Sequence, residues 1–225
     1  PLLITVKPVS ADDSIKIGWI GPLTGNAAFL GVDNMEVARR AFSLANEQGG
    51  VAGRKIEFIV DDDQNQTSKT VTAYAAMVEK GAGIIFVLTY GGVLAVAEKA
   101  EKDGVLLIDP LDSDDELAAL PRNSFCVAKK TEDLGIGNAE HALRHNNTPA
   151  AIIYDEGDPF EPKVAKATKD TLEKAGAEVS FFEGISGSTK DFRSLLARAK
   201  ARKVKSLFLY GYDDFGLAMR QAREM

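Results

Sequence analysis

Along this chain, short unbroken apolar runs take turns with longer stretches whose apolar residues recur at helical spacing. The short runs fall at residues 15–20, 56–60, 84–88, 105–108, 124–128, 150–154, 178–182 and 206–210. They are apolar at successive rather than alternate positions, which fits strands covered on both faces, as parallel strands are. Between them, Val32, Val37, Ala41 and Leu44 trace one helical stripe that stops at Gly49-Gly50. Thr67 is placed to cap a second helix running to Lys80 and ended by Gly81. Leu195, Leu196 and Ala199 mark a later helix that carries Arg198, Lys200, Arg202 and Lys203 outward. Strand–helix–strand alternation with short connections predicts right-handed crossovers and an α/β fold of doubly wound parallel sheets.

The rhythm breaks once, in the stretch DPLDSDDELAALPRNS (residues 109–124), which Pro110 and Pro121 punctuate. Charge changes there too: acids outnumber bases two to one over 12–121, while bases hold a slight excess over 122–225. We therefore expect two lobes, 12–121 and 122–225, against the alternative of one sheet with a long loop. The first eleven residues read in two ways. Their apolar character and the small residues Val9-Ser10-Ala11 suit a signal-peptide remnant, with Asp12 opening the mature protein. The other reading is a first strand at 2–6, which Lys7 favours. Because the last residues, Arg223-Glu224-Met225, fall within an amphipathic helical run, the chain is expected to be a fragment of a longer protein. No other stretch approaches the length of a membrane span.

Composition narrows the function. With 225 residues, 45% apolar and 27% charged, the chain is neither disordered nor fibrous. A net charge of −6 offers no general attraction to phosphate backbones, so no nucleic-acid partner is expected. Cys126 is the only cysteine, and His141 and His145 are the only histidines; these exclude an intramolecular disulfide and leave zinc without a ligand set. No cofactor and no metal are expected. A GxGxxG turn, a P-loop and a GxSxG elbow are all missing, and the chain is read as non-catalytic. A Mg²⁺ site can be imagined at Asp61-Asp62-Asp63, though nothing else in that loop supports it.

In open parallel sheets, ligands gather at the carboxyl ends of strands. The residues to weigh are therefore those of 21–26, 89–92, 109–115, 155–160 and 211–214. Thr89, Tyr90 and Gly91 open a helix whose backbone N–H groups can hold an anion, with a hydroxyl and an aromatic wall beside them. Ser113 is a better ligand candidate than its acidic neighbours, since Asp114, Asp115 and Glu116 read as helix caps or solvated charges. Phe160 and Tyr212 lie in strand-end loops and suit the wall of a cleft, although Phe160 could equally cover a helix end. Asp213-Asp214 most economically caps the last helix. Trp19 reads as core, and the i,i+4 pair His141 and His145 as a solvated helical face.

Three segments carry a resemblance. IKIGWIGPLTGNAAFLG (15–31), ANEQGGVAGRKIEFIVDDD (45–63) and FFEGISGSTKDFRSLLARAKARKVKSLFLYGY (181–212) are similar to type I periplasmic binding proteins of ABC importers, in the leucine/isoleucine/valine-binding branch. The resemblance runs from Ile15 to the last residue. It implies two doubly wound lobes, the second incomplete, with a solute held in the interlobe cleft. On this resemblance Thr89, Tyr90 and Gly91 fall in a first-lobe loop that binds an amino acid. Leu111, through its backbone, and Ser113 fall in the next loop, while Tyr212 and Phe160 match second-lobe aromatics. Two departures weaken the case for an α-amino acid: Tyr90-Gly91-Gly92 stands where a Ser-rich stretch is expected, and Leu30 replaces a first-loop aromatic. The acid that would hold an ammonium group would lie beyond Met225, and the first-lobe disulfide of some relatives is absent.

The resemblance implies an exported, monomeric solute-binding component of an ABC importer. It would take a small amino acid-like, organic or aromatic acid and deliver it to a membrane permease. A ligand-sensing domain of an amide-type regulator or receptor on the same fold is the alternative.

Overall fold

The computed structural model describes residues 14–157, 159–186, 188–212 and 215–225. The readings of residues 1–11 and of Asp213-Asp214 lie outside the described residues. Strands and helices alternate as the hydrophobic pattern predicts. The first half contains β1 (Ile15–Gly21), α1 (Ala28–Glu47), β2 (Ile56–Asp62), α2 (Thr67–Glu79), β3 (Ile84–Val87), α3 (Tyr90–Asp103), β4 (Leu106–Asp109), α4 (Asp115–Ala118) and β5 (Ser124–Cys126). The second contains α5 (Thr131–Arg144), β6 (Ala150–Asp155), α6 (Phe160–Lys174), β7 (Val179–Ile185), α7 (Arg193–Ala201), β8 (Ser206–Tyr210) and α8 (Phe215–Glu224). Among the described residues no helix is long and apolar enough to cross a membrane.

The chain divides into two compact units: Pro1–Pro110 with Leu120–Phe125, and Leu111–Ala119 with Cys126–Met225. The sequence pattern predicts a single boundary at 121/122. Instead, Leu111–Ala119 packs with the second unit, where the buried Asp114 carboxylate meets Lys163 of α6 at 2.7 Å.

The first unit holds a five-stranded sheet in the order β2-β1-β3-β4-β5. The pairs β1–β2, β1–β3 and β3–β4 are parallel, with Ile17 opposite Phe58 on one side and Ile84 on the other. Trp19, Ile20, Ile85 and Leu107 are fully buried, as continuous apolar strands between two helical layers should be. The second unit holds a three-stranded parallel sheet, β7-β6-β8. Its central strand buries Ala150, Ala151, Ile152 and Ile153 completely. Ile153 meets Phe192, Leu195, Leu196, Phe215 and Ala218 in the core beneath α7 and α8.

Two local expectations change. Thr67 does not cap α2: it is the first helical residue, after an extended Gln66, and no side chain caps the turn. Phe160 is the first residue of α6 rather than a loop residue, and is half-buried. Asp114 does cap α4, accepting from the Leu117 N–H at 2.7 Å.

Helices α5 and α6 approach closely at Gly135, where an added Cβ would lie 2.2 Å from the Val164 carbonyl oxygen. Gly137, two residues on, faces open space. The two glycines should therefore respond in opposite directions. Gly135→Ala is expected to destabilise the second unit by about 1–3 kcal/mol through overpacking. Gly137→Ala is expected to stabilise it by roughly 0.5–1 kcal/mol through helix propensity. Urea denaturation of the two variants checks the sign of each.

Candidate functional site

Both sheets share one topological feature. In each, the strand that enters first (β1 or β6) lies between the next two strands of its unit, so the chain winds outward on both sides of it. Where strand order reverses, the connecting helices leave on opposite faces and their loops part, and ligands of open α/β sheets bind at that point. The switch points fall between β1 and β3 in the first unit and between β6 and β8 in the second.

At the first switch point, the β1–α1 connection is tied to the end of β2 by Asp62. Its Oδ1 accepts from the N–H groups of Leu23 (2.8 Å), Thr24 (3.3 Å) and Gln64 (3.0 Å), and its Oδ2 accepts from the Thr24 hydroxyl (2.5 Å). Gly31 lets α1 close onto this loop, since a Cβ there would lie 1.8 Å from the Pro22 carbonyl oxygen. Asp63 is fully buried. It accepts from the Asn65 N–H at 2.9 Å, from the Thr70 hydroxyl of α2 at 2.8 Å and from the Thr89 hydroxyl at 3.3 Å. The aspartate run imagined as a Mg²⁺ site thus acts as a brace. Among the described residues, no group of three metal-ligating side chains is gathered anywhere.

The two carboxyls titrate in opposite directions. For Asp62, partial burial works to raise the pKa, but the bonds from Thr24, Leu23 and Gln64 prevail and hold it below the ordinary value. For Asp63, burial is the largest influence and pushes the pKa up, against the bonds from Asn65, Thr70 and Thr89 and with the help of the Asp62 charge.

Thr89 stands in extended conformation directly before α3, in the N-cap position. Its hydroxyl makes no capping bond to its own helix and donates to Asp63. Tyr90 and Gly91 form the first turn of α3 and are buried. A Cβ on Gly92 would meet the Thr89 Oγ1 at 2.4 Å, so glycine is required for the turn to lie this close to Thr89 and Thr70.

The remaining candidates belong to the second unit. Leu111 and Ser113 are half-buried in the segment leading into α4, and the Ser113 carbonyl accepts from the Thr131 N–H at 2.7 Å, which starts α5. At the second switch point, Asp155 ends β6 buried and accepts from the Gly157 N–H at 2.8 Å. Phe160 follows at the start of α6. Tyr212 follows β8, half-buried, and its carbonyl accepts from the Phe215 N–H at 2.9 Å. Lys163 binds Asp114 at 2.7 Å and Glu116 at 2.5 Å, which anchors the Ser113 segment on α6. Burial alone would lower its pKa, yet these two carboxylates raise it above the ordinary lysine value.

The structure therefore brings Thr89, Tyr90 and Gly91 together at one switch point, and has Phe160 at the start of α6 and Tyr212 in the loop after β8. Sequence reasoning missed Asp62 and Asp63 as organisers. The available signal was Asp63 followed two residues later by Asn65, the spacing of an Asx turn. His141 on α5 and His145, the residue just after it, are exposed with ring centroids 4.4 Å apart.

Comparison with known proteins decides the family. The profile described as "Periplasmic binding protein" matches residues 14–225. The chain belongs to the periplasmic binding protein family. Proteins of this family bind solutes for transporters and are not enzymes. The Leu/Ile/Val-binding protein of Escherichia coli (strain K12) is 28% identical over 216 residues, covering 94% of this chain and 58% of that protein. Two solved structures share the fold. A branched-chain amino acid transporter substrate-binding protein from Streptococcus pneumoniae, in complex with isoleucine, has a TM-score of 0.85 at 22% identity, over 94% of this chain and 61% of that one. A solute-binding protein of an ABC transporter from R. palustris, in complex with benzoate, has a TM-score of 0.78 at 20% identity, over 93% and 60%. This periplasmic binding protein chain spans about three-fifths of the length of the relatives it matches.

Removing the Asp62 brace should loosen the first unit. Asp62→Ala is expected to cost about 1–3 kcal/mol, since it leaves several donors of a tight loop without their acceptor. The two aspartates also predict opposite pH behaviour. The Asp62 contribution is complete above its ordinary pKa of 3.8 and is lost as pH falls through the lowered folded value. The Asp63 contribution is largest in acid and shrinks as pH rises from 3.8 through the raised folded value. Urea midpoints of wild type and Asp62→Ala across a pH series check this: the gap between them should narrow as the solution becomes acidic.

Proposed function

We propose that this chain is the solute-capturing part of an ABC importer's extracytoplasmic binding component, and that its ligand is a small metabolite bearing a carboxylate. The observation that carries this reading is the first turn of α3 at the β1/β3 switch point, which its own threonine does not cap. Backbone N–H groups at a helix start attract an anion, and the helix dipole adds to that attraction. Tyr90 and Gly91 would hold the carboxylate through their backbone. Ser113 would add a hydroxyl and Leu111 its carbonyl. Phe160, at the start of α6, and Tyr212, in the loop after β8, would pack on the apolar part of the ligand. Thr89 enters as the residue that shapes the turn, because its hydroxyl hydrogen is already engaged by Asp63.

The relatives support a carboxylate as the common element. Isoleucine in one structure and benzoate in the other share that group and differ elsewhere. Export through a signal peptide, delivery to a membrane permease and action as a monomer belong to the same proposal, and the name of the E. coli relative supports transport of branched-chain amino acids as one candidate.

Titration calorimetry with L-isoleucine, benzoate and 4-hydroxybenzoate tests the reading, with isoleucinamide and benzamide as counterparts that lack the carboxylate. At least one acid should bind and its amide should bind at least about tenfold more weakly, the worth of a charge-assisted bond. Equal binding of acid and amide, or no binding of any acid, overturns the proposal. Tyr212→Ala should weaken the acid that binds by roughly tenfold through lost apolar contact.

A further inference from the structure

The two histidines have no part in the site described above, yet the fold holds them in a fixed relation. His141 lies in the last turn of α5, and His145 follows the helix's last residue. The His145 N–H bonds the His141 carbonyl at 3.2 Å, so the pair keeps the helical i,i+4 register and shares one face. The chain is pinned just beyond them. The Asn147 N–H bonds the Ala142 carbonyl at 2.9 Å, Asn146 takes a left-handed φ of 54°, and the Lys205 Nζ donates to the Asn146 carbonyl at 3.4 Å. Another face of α5 buries Thr131, Gly135, Ala139 and Ala142, which fixes the rotation of the helix and leaves both rings in solvent. The ring centroids are 4.4 Å apart, at an interplanar angle of 46°.

We propose that His141 and His145 form a two-armed chelate for a divalent transition metal that favours right-angled coordination, such as Ni²⁺ or Cu²⁺. Two imidazoles four residues apart on a helix can reach one ion, and imidazole suits these metals. Ring separation selects the coordination angle. A metal about 2.0–2.1 Å from a histidine nitrogen lies about 3.2 Å from that ring's centre, so two rings at a right angle have centres about 4.5 Å apart and two at the tetrahedral angle about 5.2 Å. The observed 4.4 Å matches the right angle, which square-planar and octahedral ions use and tetrahedral Zn²⁺ does not. Among the described residues no third protein ligand is gathered, so water completes the coordination. The negative end of the α5 dipole lies at this turn and favours a cation. Arg144, between the two histidines in sequence, has its charge answered by Glu140 at 3.5 Å. A bound ion would staple the last turn of α5, at the surface of the second unit.

Nickel is the probe of choice, because it does not oxidise the free thiol of Cys126 as Cu²⁺ can. Calorimetric titration of NiCl₂ into the full chain, in a buffer that does not coordinate metal, should show one site. His141→Ala and His145→Ala should each weaken Ni²⁺ by at least about tenfold. The double variant should bind no more than about threefold more weakly than either single one, since loss of one ring already loses the chelate. Zn²⁺ should bind more weakly than Ni²⁺, and Mg²⁺, which prefers oxygen ligands, should give no measurable binding at the same concentrations. Hydrogen exchange supplies a second readout: Ni²⁺ should slow the amides of His145, Asn146 and Asn147 in wild type and leave them unchanged in the double variant. Both side chains are exposed, so alanine at either position leaves the core untouched, and metal-free urea midpoints of the variants should match wild type. The proposal is overturned if Ni²⁺ does not bind, if either single variant binds it like wild type, if the two losses simply add, or if Zn²⁺ binds as tightly as Ni²⁺.

Discussion

A parallel sheet that grows outward from its first strand in both directions must leave a gap at that strand's carboxyl end. This is the constraint on which the rest depends. With β2 on one side of β1 and β3 on the other, the helices that follow leave on opposite faces and their loops part at the seam. The same holds for β6 between β7 and β8. Helix dipoles and N–H groups without intrahelical partners collect at these ends because each strand runs into a helix start. The seam also exposes loops that have few partners of their own, so they need bracing. In the first unit Asp62 and Asp63 supply it, linking the ends of β1 and β2 with α2 and α3.

Much of the fold could be read in the residues because the strands are apolar at every position. The runs at 84–87 and 150–153 have no polar face, so only a doubly covered parallel strand suits them, and the structure places them inside the two sheets. Trp19 lies in such a run and is core. Boundaries that depend on tertiary choice were less legible. Composition marks 109–124 as a break but does not say which unit takes each part. That is decided by Lys163, some fifty residues on, which pairs with Asp114 and Glu116. Thr67 is a good capping residue by type, yet the chain turns helical one residue too early for it to serve.

The candidate site was legible as a set of places rather than as a set of roles. Strand-end position alone singled out Thr89, Tyr90, Gly91 and Tyr212, and each does follow a strand. What a hydroxyl does there depends on which acceptor reaches it, and residues 63 and 89 are brought together only by the pairing of β2 and β3 with β1. No local pattern encodes that. Phe160 shows the limit from the other side: a one-residue shift in where α6 begins changes it from a loop residue to a helical one.

An acidic protein with two aspartates beside its switch point looks ill-suited to holding a carboxylate. The resolution lies in where the donors point. Asp62 is surrounded by three backbone N–H groups and a hydroxyl, and Asp63 by one N–H and two hydroxyls, so much of each negative charge is answered within a hydrogen bond's length. Their long-range field is further screened by salt beyond roughly 8 Å in physiological solution. The first turn of α3, by contrast, carries oriented N–H groups that its own cap residue does not bond. At close range fixed dipoles outweigh a diffuse net charge, because attraction at hydrogen-bond distance acts in a partly dehydrated site where the effective dielectric constant is low. The aspartates therefore do not oppose an anion at α3: their charge is engaged by the loops they fix, while the α3 dipole starts beside the switch point.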